Sequence, residues 1–139
     1  MIYPQTKASK LSKNINQIAK NGCLAMCYLF CIGLESSEMD YIDNVSTAID
    51  FGYLKEDCTV FDADKYLGFF AGEGRYKVLK KNISSIAEIK ERTPVCYEYG
   101  KNQHWVVVEN GKIVFNSLAN SQCVTRGKPT QARIITLRG

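Results

Sequence analysis

Residues 22–34 read Gly-Cys-Leu-Ala-Met-Cys-Tyr-Leu-Phe-Cys-Ile-Gly-Leu, the longest uncharged apolar run in the chain. No other feature constrains the fold as strongly. On a helix these residues place apolar groups on nearly every side, and a helix apolar all round must be buried. The run is too short to cross a bilayer, which takes roughly 20 apolar residues. The rest of the chain must therefore wrap a helix over residues 22–33, with Gly33 placed to end it.

The wrapping comes in two periods. A second helix is expected from Ser36 or Ser37, with Ser37 and Asp40 as a capping pair, running through Tyr41, Val45 and Ile49 to Phe51 before Gly52 stops it. Asp62 caps a third, short helix carrying Tyr66, Leu67 and Phe70. After Gly74 the pattern becomes extended, with strands expected at Tyr76–Leu79, Pro94–Tyr99, His104–Glu109, Lys112–Ser117 and Ala132–Arg138. Asn110-Gly111 is a strong hairpin turn, and Ser85 with Glu88 predicts a short helix around Ile86 and Ile89. Residues 1–14 read as an arm. The expectation is one α+β domain over residues 1–139, its helical amino-terminal half packed on a carboxy-terminal antiparallel sheet.

A length of 139 residues suffices for one core, and 45% hydrophobic against 23% charged residues excludes a disordered chain. Met1–Asn21 has no apolar stretch of the kind a secretory signal needs, so a cytoplasmic product is expected as synthesised. The six cysteines are then expected as thiols rather than disulfides. No Cys-x-x-Cys pair occurs and there is one histidine, so no structural zinc site is expected. Charge is uneven. Residues 35–66 hold nine acids and two lysines, whereas residues 67–139 hold twelve Lys/Arg and five acids. A basic face beside an acidic one suits an anionic partner such as cell wall or nucleic acid, or an ordinary solvated surface.

Four residues carry the chemistry. Cys23 opens the buried helix, where unpaired N–H groups and the helix dipole favour thiolate, although a cysteine on an apolar helix also packs well as core. His104, the one histidine, begins the apolar strand His-Trp-Val-Val-Val and reads as a base or as a structural side chain. Asn116 ends the return strand of the hairpin. Counting from Asn110-Gly111 brings it close to His104, where its carbonyl would accept the Nδ1–H; Ser117 and Asn120 compete for that role. Gln17, six residues before Cys23, would hold an oxyanion together with the Cys23 backbone N–H. Cys27 and Cys31 follow Cys23 by one and two turns and are expected in the interior. Trp105 is expected to shield one side of the pair, and Tyr97 and Tyr99 to share a sheet face.

Gln17-x5-Cys23, His-Trp-Val-Val-Val at 104–108 and Val-Phe-Asn at 114–116 together resemble the papain-like cysteine peptidases, closest to the compact bacterial C39-like type. The resemblance spans about residues 15–118. It implies a papain-like fold with Cys23 as nucleophile, His104 as base, Asn116 as orienting residue and Gln17 in the oxyanion hole. Two positions depart from the C39-like pattern: Leu24 stands where Gly is usual, and Asn116 where Asp is more common. The His-x11-Asn interval also fits NlpC/P60-type peptidases. The implied activity is hydrolysis of a peptide or amide bond without metal or cofactor. A small basic domain suits a phage-type endolysin that cuts peptidoglycan stem peptides and is released through a holin. The alternatives are a peptidase processing leader peptides or host proteins, and a non-catalytic binding module of the same fold. The expected partner is a peptide or peptidoglycan and not a nucleic acid, no membrane span is expected, and the expected state is a monomer.

Overall fold

In a computed structural model that describes residues 2–8, 16–34, 37–119 and 121–138, the chain runs α1 (Pro4–Ala8), α2 (Asn16–Asn21), α3 (Cys23–Cys31), α4 (Glu38–Asp50), α5 (Ala63–Ala71), β1 (Tyr76–Asn82), β2 (Thr93–Tyr99), β3 (Asn102–Glu109), β4 (Lys112–Phe115), α6 (Gln122–Arg126) and β5 (Lys128–Leu137). The uncharged run is α3, and Ala25, Met26, Cys27, Tyr28 and Leu29 on it are fully buried. Gly33 ends it in the left-handed region at φ 79°, and the N–H of Leu34 closes the turn on the carbonyl of Leu29. The two expected caps form. Ser37 Oγ accepts the N–H of Asp40 at 3.1 Å, and Asp62 Oδ1 accepts the N–H of Lys65 at 3.1 Å. Among the described residues no helix is long and apolar enough to cross a membrane.

The strands make one antiparallel sheet in the order β1-β5-β2-β3-β4. Side chains alternate across it. Cys96, Trp105, Val107 and Phe115 meet the main core, which α3, α4 and α5 fill; Phe115 stacks on Phe30 and Tyr41 there. Val95, Tyr97, Val106, Val108 and Ala132 face the other way, against Cys123 of α6 and Ile86 and Ile89 of the 83–92 loop. The molecule is α+β, with helices leading and strands following, as the change of period predicts.

Three expectations are corrected. The arm is partly a helix: α1 occupies residues 4–8, with Pro4 and Gln5 buried, while residues 9–15 lie outside the described residues. Pro4 suits a first helical position, where an N–H is not needed. The Gln5 and Thr6 N–H groups donate to the Ser117 carbonyl at 3.0 and 3.3 Å, and Thr6 Oγ1 accepts the N–H of Ala119 at 3.0 Å. The helix predicted around Ile86 is a loop. Ser85 Oγ takes the N–H of Ala87, two residues on, which makes a turn rather than a cap. The carbonyls of Ile89 and Lys90 accept the N–H groups of the hairpin residues Gly111 and Asn110, which ties this loop to the hairpin. The strand ends also differ. β4 stops at Phe115, and β5 begins at Lys128 because it bridges β1 and β2.

The hairpin places the later residues of the site. Asn110 and Gly111 have φ 51° and 72°, a two-residue turn that fixes Glu109 opposite Lys112. The register then shifts: Val108 faces Ile113 but Val107 faces Phe115, leaving Val114 as an extra residue in a β-bulge. One inserted residue reverses which face every later β4 side chain occupies.

Gly22 joins α2 to α3 at a point too close for a side chain. Its N–H donates to the Ile18 carbonyl at 3.0 Å, and a Cβ there would lie 2.5 Å from that oxygen. Gly22→Ala must push the two helices apart directly before Cys23. A loss of about 1–3 kcal/mol is expected, as for other overpacked sites. It should appear as a lower urea midpoint with an unchanged slope.

Candidate functional site

Cys23 is the first residue of α3, whose cap Gly22 offers no side chain to the opening N–H groups. Its side chain is 9% exposed. The sulfur lies among the backbone N–H groups of Trp105, Leu24 and Cys23 itself. Burial nevertheless raises the thiol above its ordinary value of 9.0, and the three N–H groups only partly offset it. The thiolate expected from the helix terminus is therefore not the resting form, because desolvation outweighs the terminus. The contact with Trp105 puts the sulfur beside the residue that follows His104 on β3.

His104 is 4% exposed and pairs across the sheet with Tyr97. Its Nε2 lies 2.7 Å from Asn116 Oδ1. That oxygen also accepts the N–H of Leu118 at 3.1 Å, which fixes the amide with its carbonyl toward the ring. Nε2 must then carry the proton and donate, leaving Nδ1 as an unprotonated acceptor. This corrects the expected use of Nδ1–H. Burial lowers the His104 pKa from 6.5, and the bond to Asn116 opposes that shift. The bulge makes the pairing possible. Continuing the ladder one step past Val107 and Phe115 sets Asn116 opposite Val106, on the face that His104 shares. Unbulged counting would have put it opposite Trp105, on the other face.

Cys23 and His104 line one cleft of about 390 Å³, together with Gln5, Tyr99, Gln122 and Cys123. Larger hollows of about 890 and 420 Å³ lie along the 83–92 loop and beside Tyr53 and Phe69, and none of Cys23, His104 or Asn116 lines either. Neither larger hollow is lined by a cysteine or a histidine, whereas a thiol and the imidazole converge in the smaller cleft, so chemistry rather than volume selects it.

The structure does not bring Gln17 to the cleft. Gln17 is exposed on α2, whose helical turn sends Ile18 to the core instead, and its Oε1 accepts a hydrogen bond from Asn21 Nδ2 at 3.0 Å. Gln5 lines the cleft instead, as do Gln103 and Gln122, and sequence reasoning missed it. It is buried, and its Oε1 accepts the Ser117 hydroxyl at 2.8 Å. Ser117 is thereby engaged away from His104, and Asn120 lies outside the described residues. Cys123 was also missed as a cleft residue; it arrives on α6, which no sequence signal announced. Cys27 is fully buried and Cys31 half-buried, and all six cysteines are free thiols. Trp105 is buried with the Arg133 guanidinium 4.9 Å over its ring. Tyr97 is buried in the second-face core, while Tyr99 reaches the cleft.

The arrangement holds a thiol, a neutral imidazole with a free acceptor nitrogen, and an amide that fixes the imidazole. Such a set can transfer a proton from sulfur as the sulfur attacks an electrophile. No curated protein and no solved structure matches the chain. Residues 5–137 match a family model described as "Protein of unknown function, DUF261". With nearly the whole of the 139 residues inside that match, the chain belongs to the DUF261 family.

Proposed function

We propose that this protein is a papain-like cysteine peptidase, cleaving a peptide or amide bond with Cys23 as nucleophile, His104 as base and Asn116 as the residue that orients His104. The observation that carries the reading is the shared cleft. The sulfur rests at the N–H of Trp105, and the neighbouring His104 is tied through Nε2 to Asn116 with Nδ1 left to accept a proton. At neutral pH both partners rest uncharged, since burial raises the thiol and lowers the imidazole. The thiol proton therefore moves to Nδ1 as the sulfur attacks the carbonyl. The imidazolium next protonates the leaving amine, and neutral His104 then activates water to release the acyl group.

For substrate we favour peptidoglycan stem peptides. Support comes from charge: Lys77, Lys80 and Lys81 lie exposed on the outer strand β1, in a half of the chain rich in Lys and Arg, which suits an anionic wall. An enzyme of this kind made in the cytoplasm would reach the wall through a holin. Digestion of purified sacculi should release peptide fragments with wild-type protein and none with Cys23→Ala. Release of none by either, with cleavage of a protein substrate, would transfer the reading to protein processing.

Three further outcomes are expected. Iodoacetamide at neutral pH should modify Cys23 ahead of the other cysteines because His104 takes its proton as it reacts, whereas burial acts most strongly on Cys58, pushed up to about 12, and on Cys96, pushed up to about 11. His104→Ala should slow that reaction by about 10²–10⁴-fold, the usual worth of a general base. Labelling of Cys23 no faster than of the rest would leave a binding module. Second, the Cys23 reaction should hold level through neutral pH and fall only below 6.5, where His104 becomes protonated. Third, unfolded His104 takes up a proton near 6.5 whereas the folded one does so only at lower pH. The unfolded state then binds more protons, so the thermal midpoint should fall as pH drops below 6.5. Because there is one histidine, His104→Gln should remove that fall down to about pH 5, above the carboxylate range.

A further inference from the structure

The cleft has a sign. Among the described residues that line it, Lys20 is the one charged side chain, and no Asp or Glu is among them. The thiol and the imidazole beside it rest uncharged, and the remaining polar walls are amides and hydroxyls such as Asn102, Gln122 and Tyr99. Lys20 is exposed in the last turn of α2, three residues before Cys23. It makes no ion pair with any described residue. Residues 1–20 hold four lysines and no acid, so the segment that carries Lys20 supplies nothing to neutralise it. Glu98 faces Gln103 across the sheet, but it has Lys128 opposite on its other side and does not line the cleft.

A lysine at a helix end complements the carbonyls there, and that alone would account for its position. Lining a cleft with neutral walls, it does more. It sets the potential that an entering group meets, and low-dielectric walls focus that potential instead of dissipating it. A carboxylate entering beside Cys23 finds one cation and no competing anion.

We infer that the cleft selects substrates carrying a free carboxylate close to the scissile amide, with Lys20 as the specificity-determining residue. The inference rests on the peptidase reading above and narrows its substrate class. A chain end or an acidic residue next to the cut bond supplies such a group, and an amidated or neutral peptide does not. Lys20 acts on binding and takes no part in the transfer of protons between Cys23 and His104.

Two reagents that differ by one negative charge test it at the nucleophile itself. Iodoacetate and iodoacetamide both displace iodide from carbon by attack of sulfur. The quantity read is the ratio of their rates at Cys23, localised by tandem mass spectrometry. Any effect of Lys20 on the thiol or on helix stability moves both rates together and cancels in that ratio. In Lys20→Met the ratio of iodoacetate to iodoacetamide should fall by about 5-fold or more at low salt, as when one nearby cation is taken from a partly hydrated site. Lys20→Arg should hold the wild-type ratio, and Lys20→Glu should lower it further. Added salt should shrink the gap between wild type and Lys20→Met, because screening weakens a partly exposed charge. Sacculi whose carboxyl groups have been converted to carboxamides with carbodiimide and ammonia should be cut more slowly than untreated sacculi by wild type, and at the same rate as untreated ones by Lys20→Met. An unchanged ratio in Lys20→Met overturns the inference, and so does an equal fall in Lys20→Arg. Equal cutting of the two kinds of sacculi by wild type overturns it as well. If wild type cuts neither, the alkylation ratio decides. A wild-type protein that neither cuts a peptide substrate nor alkylates selectively at Cys23 removes the peptidase reading itself, a result distinct from failure of the Lys20 role alone.

Discussion

The cleft exists because α3 is buried against β2 and β3. Five consecutive residues of that helix are fully buried, and each large apolar side chain removed from water contributes roughly 1.5–3 kcal/mol. That burial sets the helix against the sheet but leaves its position along its own axis free. The Tyr66 hydroxyl supplies the missing constraint by donating to the Ala25 carbonyl at 2.9 Å from inside the core. Gly22 permits the tight approach of α2 behind it. With the helix fixed in this way, its first side chain falls at the Trp105 N–H, and the sulfur lines one cleft with the one histidine.

The second half of the arrangement comes from the sheet. A two-residue turn fixes the hairpin register, and one extra residue at Val114 then changes the face that Asn116 occupies. Burial of both partners keeps them neutral at rest, so the site stores no separated charge in a low-dielectric cleft, where unpaired charge is costly. The backbone N–H groups of Trp105, Leu24 and Cys23 surround the sulfur there.

Much of the frame was legible in the sequence because its determinants are local. The uncharged run, the Ser37 and Asp62 caps, and the Asn110-Gly111 turn each depend on residues within a few positions of one another. Cys23, His104 and Asn116 were legible as types on suitable elements. What could not be read depends on contacts between distant residues. Gln5 meets Ser117 across 112 positions, and no pattern in residues 1–14 marks α1 as seated. The bulge at Val114 adds one residue to a run of β-branched side chains, where a period of two cannot show it. A spacing of six residues between Gln17 and Cys23 fits both a loop that returns to the nucleophile and a helix that turns outward, and α2 takes the second course. At Ser85 a local capping pattern lost to a turn, in which Ser85 Oγ accepts the N–H of Ala87.

The central claim is that one sulfur and one imidazole, far apart in the chain, meet in a single cleft. A short bifunctional alkylating agent, dibromoacetone, tests it directly in the folded protein, with the bridged peptides identified by mass spectrometry after digestion. The account predicts a covalent bridge between Cys23 and His104, lost in Cys23→Ser and in His104→Ala. A Cys23 adduct that leaves His104 unmodified, or one that bridges Cys23 to Cys123 instead, would contradict it.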